Sequence, residues 1–347
     1  MKVLVPYDGH ELSEQAAVMA IELLAQHRIE LTLLHVASNR DHAESAQAAL
    51  DEVAGRLAAS PASVTPVLAF GRPAEEIARY ADQHGADLIA MSTHGRSMLA
   101  RMLVGSVTDR VIRTAPVPVL VVHPPTMSVD RISPPAGRKF RILAPLDGST
   151  FATEALMMAV SLLQPELLKV HLMTAVVVPD LQGLARQLLE DTASKLNAQG
   201  VSVSTMLVQG DAEPAITRLS HEGSYDLIVM STHGHSMLTR ALIGSTTDRM
   251  VRVSELPVLV VQPQSMEIPF DPVSGEAVDP DNPAYTSEYH GRVYSFTSLE
   301  HKQRFDGTPE AYIGTRLATS KGYALPRDGF APTADSLPST PVVVRES

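Results

Sequence analysis

The sequence contains no cysteine, which excludes disulfides, thiolate metal ligands and cysteine nucleophiles at once. It has no apolar run near the ~20 residues that a membrane-crossing helix requires. Met1-Lys2-Val3-Leu4-Val5 enters an apolar strand directly, without the basic stretch and apolar core of a secretory leader, so a cytoplasmic location is expected. Positive charge is in deficit: 28 Lys and Arg against 39 Asp and Glu leave a formal net charge of −11. The chain as a whole therefore repels nucleic acid and anionic membrane, and any phosphate site has to be local and geometric. No lysine directly follows a glycine, so the Gly-Lys-Ser/Thr of a P-loop is absent.

What is present is a duplicated pattern. With 347 residues, 44% of them hydrophobic, the chain can bury sizeable cores in two or three domains. Short apolar runs at 2–7, 30–36, 64–70, 87–91 and 117–122 read as buried parallel strands. Between them, 13–26, 43–59 and 73–84 carry apolar residues at helical spacing, the last with Pro73 in its first turn. Alternation of this kind predicts a parallel sheet covered on both faces by helices. After a proline-rich linker at 124–138 the pattern restarts: Asp8 matches Asp147, Gly71 matches Gly210, Asp87 matches Asp226 and Pro118 matches Pro257, each pair 139 residues apart. We expect domains at 1–123 and 139–262, that is, two tandem five-stranded parallel α/β sandwiches. Their last strands, 117–122 and 256–261, are apolar edges, and pairing them as an internal pseudo-dimer would cover both. Beyond them come a small, turn-rich α+β unit at 263–313, with a strand at 292–296 and a short helix at 298–305, and a tail at 314–347 expected to be disordered.

The chemistry-bearing stretch is also duplicated. Ser92-Thr93-His94-Gly95 leads to Gly105-Ser106, and Ser231-Thr232-His233-Gly234 leads to Gly244-Ser245, each after an apolar strand and before a helix. Glycines that permit close backbone approach, followed by a helix start, present N–H groups to an anion. Asp8 and Asp147 follow the first strand of each copy, where ligands of open parallel sheets sit. Each Asp is equally well read as the cap of its own turn, and each glycine as a position of positive φ or a helix cap. His94 and His233 read as phosphate ligands or as residues that hold the loop, and no ligand spacing points to metal. Met98 and Met237 read as core.

On these residues both copies resemble universal stress protein domains, whose nucleotide-binding members carry Gly-x2-Gly-x9-Gly-Ser/Thr after the fourth strand. Ser92 and Ser231 stand where that motif has its first glycine. The resemblance implies a Rossmann-like, adenine-nucleotide alpha-hydrolase-like fold and a bound adenine nucleotide, ATP or a relative, with or without magnesium. The contact set it implies is Asp8, Val36, Ser92, His94, Gly95, Arg96, Gly105, Ser106 and Val107 in the first copy. In the second copy it is Asp147, Ser231, His233, Gly234, Gly244, Ser245 and Thr246. Residues 271–312 resemble the small metal-associated YHS domain, through Asp271-Pro272-Val273-Ser274-Gly275, Tyr289-His290-Gly291, Tyr294-Ser295-Phe296 and Phe305. Ser274, Thr297 and His301 occupy that family's cysteine positions, so tight zinc or copper binding is not expected.

Three functions follow: a nucleotide-binding stress or signalling module, a slow ATPase, or a ligand-free tandem scaffold that docks a protein partner, with homodimerisation open in each. Gly95-Arg96-Ser97-Met98-Leu99 and Gly234-His235-Ser236-Met237-Leu238 lack the final glycine of a nucleophile elbow, and no catalytic residues are assigned, which favours binding over catalysis. Arg96, where the second copy has His235, predicts that the first cleft holds a triphosphate more tightly near neutral pH, since a histidine of ordinary pKa ~6.5 is then largely uncharged.

Overall fold

The computed structural model describes residues 1–41, 43–93, 105–123, 139–222, 225–232, 244–262, 271–274, 278, 284–289, 292–309 and 312. They fall into two compact units, 1–266 and 267–347.

In the first unit each apolar run forms a strand of one sheet. The first copy supplies β1 (Lys2–Pro6), β2 (Glu30–Ala37), β3 (Ser63–Phe70), β4 (Leu88–Ser92) and β5 (Val119–Val122). The second supplies β6 (Phe140–Pro145), β7 (Leu168–Val176), β8 (Ser202–Gln209), β9 (Leu227–Ser231) and β10 (Val258–Val261). The strand order is β3-β2-β1-β4-β5-β10-β9-β6-β7-β8, parallel within each copy and antiparallel only where β5 meets β10. β5 starts two residues later than its apolar run, because Pro118 has no N–H to donate; its carbonyl still accepts from the Ile89 N–H at 3.0 Å.

Helices cover both faces, as strands buried on both sides demand. Side chains of α1 (Glu11–Leu23), α2 (Ala43–Leu57), α5 (Thr150–Leu163) and α6 (Gln182–Asn197) form one core. Those of α3 (Pro73–His84), α4 (Ser106–Thr114), α7 (Ala212–Glu222) and α8 (Ser245–Val253) form the other. Each core runs without a break from one copy into the next.

The seam between the copies explains that continuity. Val121, Leu120 and Val119 stand opposite Val258, Leu259 and Val260, and all six are buried. Burying a Val or Leu side chain is worth about 1.5–3 kcal/mol, so neither edge is stable exposed. Two reciprocal bonds cross the seam. His123 Nε2 donates to the Val251 carbonyl at 2.6 Å and Gln262 Nε2 to the Ile112 carbonyl at 2.5 Å. His123 and Gln262 are equivalent positions, as are Ile112 and Val251, so the bonds repeat one contact about a pseudo-two-fold axis.

The second unit contains a hairpin of β11 (Tyr285–Tyr289) and β12 (Arg292–Phe296), then α9 (Leu299–Gly307), capped by Ser298, whose hydroxyl accepts from the His301 N–H. Its small core is aromatic: Phe305 lies 4.8 Å from Tyr294 and 5.1 Å from Phe296, centroid to centroid. Asp271 is fully buried and accepts from the N–H groups of Val273, Ser274 and Thr297, from Thr297 Oγ1, and from His301 Nδ1 at 2.7 Å. Burial opposes its ionisation, but the bonds from Thr297, Val273 and His301 outweigh that and hold the carboxyl below its ordinary range.

Candidate nucleotide cleft

The order β2-β1-β4 makes the carboxyl ends of β1 and β4 a topological switch point, where α/β sheets open a crevice. A cleft of about 1280 Å³ lies there, lined by Asp8, Val36, Ser92, Gly105, Ser106 and Val107 among others. Six residues singled out from four separated segments of the first copy thus meet around one space. His94, Gly95 and Arg96, with His233 and Gly234 in the second copy, lie outside the described residues.

One end of the cleft is built by the start of α4. Gly105 is its N-cap, at φ −57° and ψ 142°, with no side chain to cap the helix. The first-turn N–H groups of Ser106, Val107 and Thr108, which lack intrahelical acceptors, therefore meet no capping group from Gly105. Of the two plain readings of Gly105, positive φ or a helix cap, the second describes it: its φ is ordinary, it caps α4, and the constraint on it is close approach. A Cβ there would sit 3.3 Å from the Thr93 carbonyl oxygen, to which the Gly105 N–H donates at 2.8 Å. Thr108 Oγ1 donates to the Ser92 carbonyl at 3.0 Å, a second tie between helix start and strand end.

The second copy repeats the construction. Gly244 is the N-cap of α8 at φ −53°, its N–H donates to the Thr232 carbonyl at 2.9 Å, and Thr247 Oγ1 donates to the Ser231 carbonyl at 2.8 Å. Ser245 and Thr246 open the helix and Asp147 follows β6, each matching its first-copy counterpart. The walls differ: Tyr7, Val36, Ser38 and Asn39 of the first cleft become Leu146, Ala175, Val177 and Val178, the last two well exposed.

Asp8 and Asp147 both organise their own turns, so the capping reading holds in part. Asp8 Oδ1 accepts from Ser13 Oγ at 2.7 Å and from the His10 N–H at 3.2 Å. Asp147 Oδ1 accepts from Ser149 N–H and Oγ at 3.0 and 2.7 Å. The following glycines, at φ 93° and 94°, make the left-handed turn that aims the chain into the next helix. Asp8 still lines the cleft, and its Oδ2 makes no hydrogen bond among the described residues.

Several lining residues were not singled out from sequence. His35 places Nδ1 2.8 Å from the Tyr7 carbonyl oxygen, which makes Nδ1 the donor and leaves Nε2 an acceptor in the neutral ring. Burial, then the Glu14 carboxylate, pushes the Tyr7 phenol above its ordinary pKa, so it stays protonated. Thr108, Asp109 and Arg113 also line the cleft, as does Arg252 from the second copy. A signal existed for these four: Gly-Ser-x-Thr-Asp-Arg-x-x-Arg at 105–113 recurs, with Thr246 at its third position, at 244–252.

The architecture is that of a duplicated, doubly wound α/β protein with a helix-start cleft at its switch point. The model of the universal stress protein family matches residues 1–123 and 140–262, and the chain belongs to that family. Universal stress protein Rv2005c of Mycobacterium tuberculosis is 27% identical over 295 residues, covering 75% of this chain and 96% of that protein. Universal stress protein MJ0531 of Methanocaldococcus jannaschii is 32% identical over 140 residues, 36% of this chain and 82% of that one. A crystal structure of a universal stress protein from Archaeoglobus fulgidus shares the fold, with a TM-score of 0.59 and 23% identity over 77% of this chain and 97% of its own. Residues beyond 262 lie outside the family match. Among the described residues no helix is long and apolar enough to cross a membrane.

Proposed function

We propose that this chain is a nucleotide-responsive stress or signalling module that binds an adenine nucleotide, ATP or a relative, in the first cleft and more weakly in the second. The observation that carries this reading is the convergence of Asp8, Val36, Ser92, Gly105, Ser106 and Val107 on one cleft whose floor is an uncapped helix N-terminus. Phosphate belongs at that N-terminus, where fixed N–H dipoles favour negative charge without help from the acidic chain as a whole. The nucleoside then lies toward Asp8 and Val36, between an unsatisfied carboxylate oxygen and an apolar wall. Arg96 in place of His235 supports the tighter first site. Occupancy would act through conformation or association with a protein partner. We read the second unit as a YHS-like appendage without tight metal binding, because Ser274 and Thr297 are poor ligands and Asp271 already engages His301.

The test is calorimetric titration of ATP into the full chain and into Gly105→Val. The variant places bulk against the Thr93 carbonyl and displaces the α4 start, so the tighter site should weaken at least tenfold. Wild-type protein that binds no adenine nucleotide would overturn the proposal.

A further inference from the structure

The first cleft does not end within the first copy. Beside Asp109 its lining includes two guanidinium groups, Arg113 of α4 and Arg252 of α8. Arg113 forks onto Asp109 at 3.0 and 2.9 Å, and Arg252 onto Asp248 at 2.9 and 2.8 Å. Arg252 also approaches Asp109 Oδ1 at 3.9 Å, across the boundary between the copies. The arginine side chains are only 25% and 27% exposed, which sets them apart from solvated surface pairs. Each is held charged foremost by the hydrogen bond to its own aspartate.

The position of this cluster is what gives it meaning. Asp109 lies in the first turn of α4, and Arg113 folds back onto it from four residues later, about 6 Å along the axis. Both guanidinium groups therefore reach the first turn of α4, the end of the helix whose N–H groups of Ser106 to Thr108 favour an anion. The four groups, Asp109, Arg113, Asp248 and Arg252, sum to zero charge, and the Arg252 approach to Asp109 links one copy to the other. Asp109 is nevertheless shared by two cations, and its longer contact, to Arg252, is the one most readily exchanged for a phosphate oxygen. A guanidinium suits that exchange, since it can fork onto phosphate.

We propose that Arg252, together with Arg113, reads the outer phosphates of a nucleoside di- or triphosphate in the first cleft, so that this site is complete only when the second copy is docked across the β5–β10 seam. A monophosphate satisfies the helix N-terminus and stops short of the arginine pair. A longer phosphate chain reaches it and bridges the copies. The cleft is then selective for phosphate number, and its occupancy is linked to the contact between α4 and α8. This rests on the nucleotide reading above.

The experiment is calorimetric titration of AMP and of ATP, at one fixed ionic strength, into the full-length wild type, Arg252→Gln and Arg252→Lys. Wild type should bind ATP more tightly than AMP. Arg252→Gln should weaken the tighter ATP site about tenfold or more while AMP affinity changes less than about twofold, which also reports that the cleft is still folded. Arg252→Lys should recover only part of the loss, because an ammonium cannot fork. Equal losses for AMP and ATP, no loss for either, or a wild type that does not prefer ATP would overturn the composite site while the nucleotide reading stands. A wild type that binds neither nucleotide would overturn both.

Discussion

Leu120 and Leu259 face each other across the only antiparallel junction of the ten-stranded sheet, and both are fully buried in the same core. Truncating either to alanine should cost about 2–5 kcal/mol, the lost transfer energy plus the cavity left behind. That is a large share of the ~5–15 kcal/mol by which a domain is stable. Once one leucine is gone, the other has already lost its cross-strand contact, so the double variant should fall short of the summed single costs by about 0.5–1 kcal/mol. Leu33 supplies the control: it is buried in β2, four strand spacings and about 19 Å from β10, and Leu33→Ala should add to Leu259→Ala within about 0.5 kcal/mol. The assay is guanidinium unfolding of the full chain followed by far-ultraviolet circular dichroism. The continuous cores also predict that residues 1–262 unfold in one transition. Additive Leu120 and Leu259 costs, or two well-separated transitions for the two copies, would refute the seam.

Thr108→Val and Thr247→Val should each destabilise by about 1–3 kcal/mol, because each strips a buried strand-end carbonyl of its hydroxyl donor; a thermal melt that shows neither change would remove that tie. Calorimetry of ATP with the full chain at pH 8 should resolve two unequal sites, and Arg96→Ala should weaken the tighter one about tenfold to a hundredfold, whereas equal sites in the wild type would contradict the asymmetry. The Asp271 carboxyl titrates below its unfolded value, so the stability it gives the second unit is present above about pH 4 and lost as pH falls through the lower folded pKa; the hydrogen-exchange protection of peptides from 285–305, taken relative to the intrinsic rate at each pH, should fall in that acidic range and stay level between pH 5 and 8. Metal analysis of the full chain should find no stoichiometric zinc, and one zinc per chain would contradict the reading of Ser274 and Thr297.

The duplicated α/β plan was legible because its signal is repeated: two runs of buried strands at a constant offset, each ending in a Val-Leu-Val-Val edge that needs a partner. The helix starts at Ser106 and Ser245 were legible for the same reason. The hairpin strand β11 was not, since Tyr285-Thr286-Ser287-Glu288-Tyr289 is polar and mostly exposed and its order comes from pairing with β12. Part of the cleft was also beyond a linear reading. Arg252 stands 139 residues from its equivalent Arg113, and nothing in chain order says that the two share one space; the antiparallel β5–β10 register brings them together. Gly105 was singled out as a backbone device, and what constrains it is the neighbouring Thr93 carbonyl rather than its own φ.

The central claim, that an uncapped helix start at the sheet's switch point holds an adenine nucleotide, is tested most directly by mass spectrometry of the gently purified full chain under native conditions. The account predicts an adenine nucleotide retained by the protein, lost on Gly105→Val and restored to the wild type by added ATP. A wild-type chain that carries no nucleotide and takes up neither ATP nor AMP when either is supplied would contradict it.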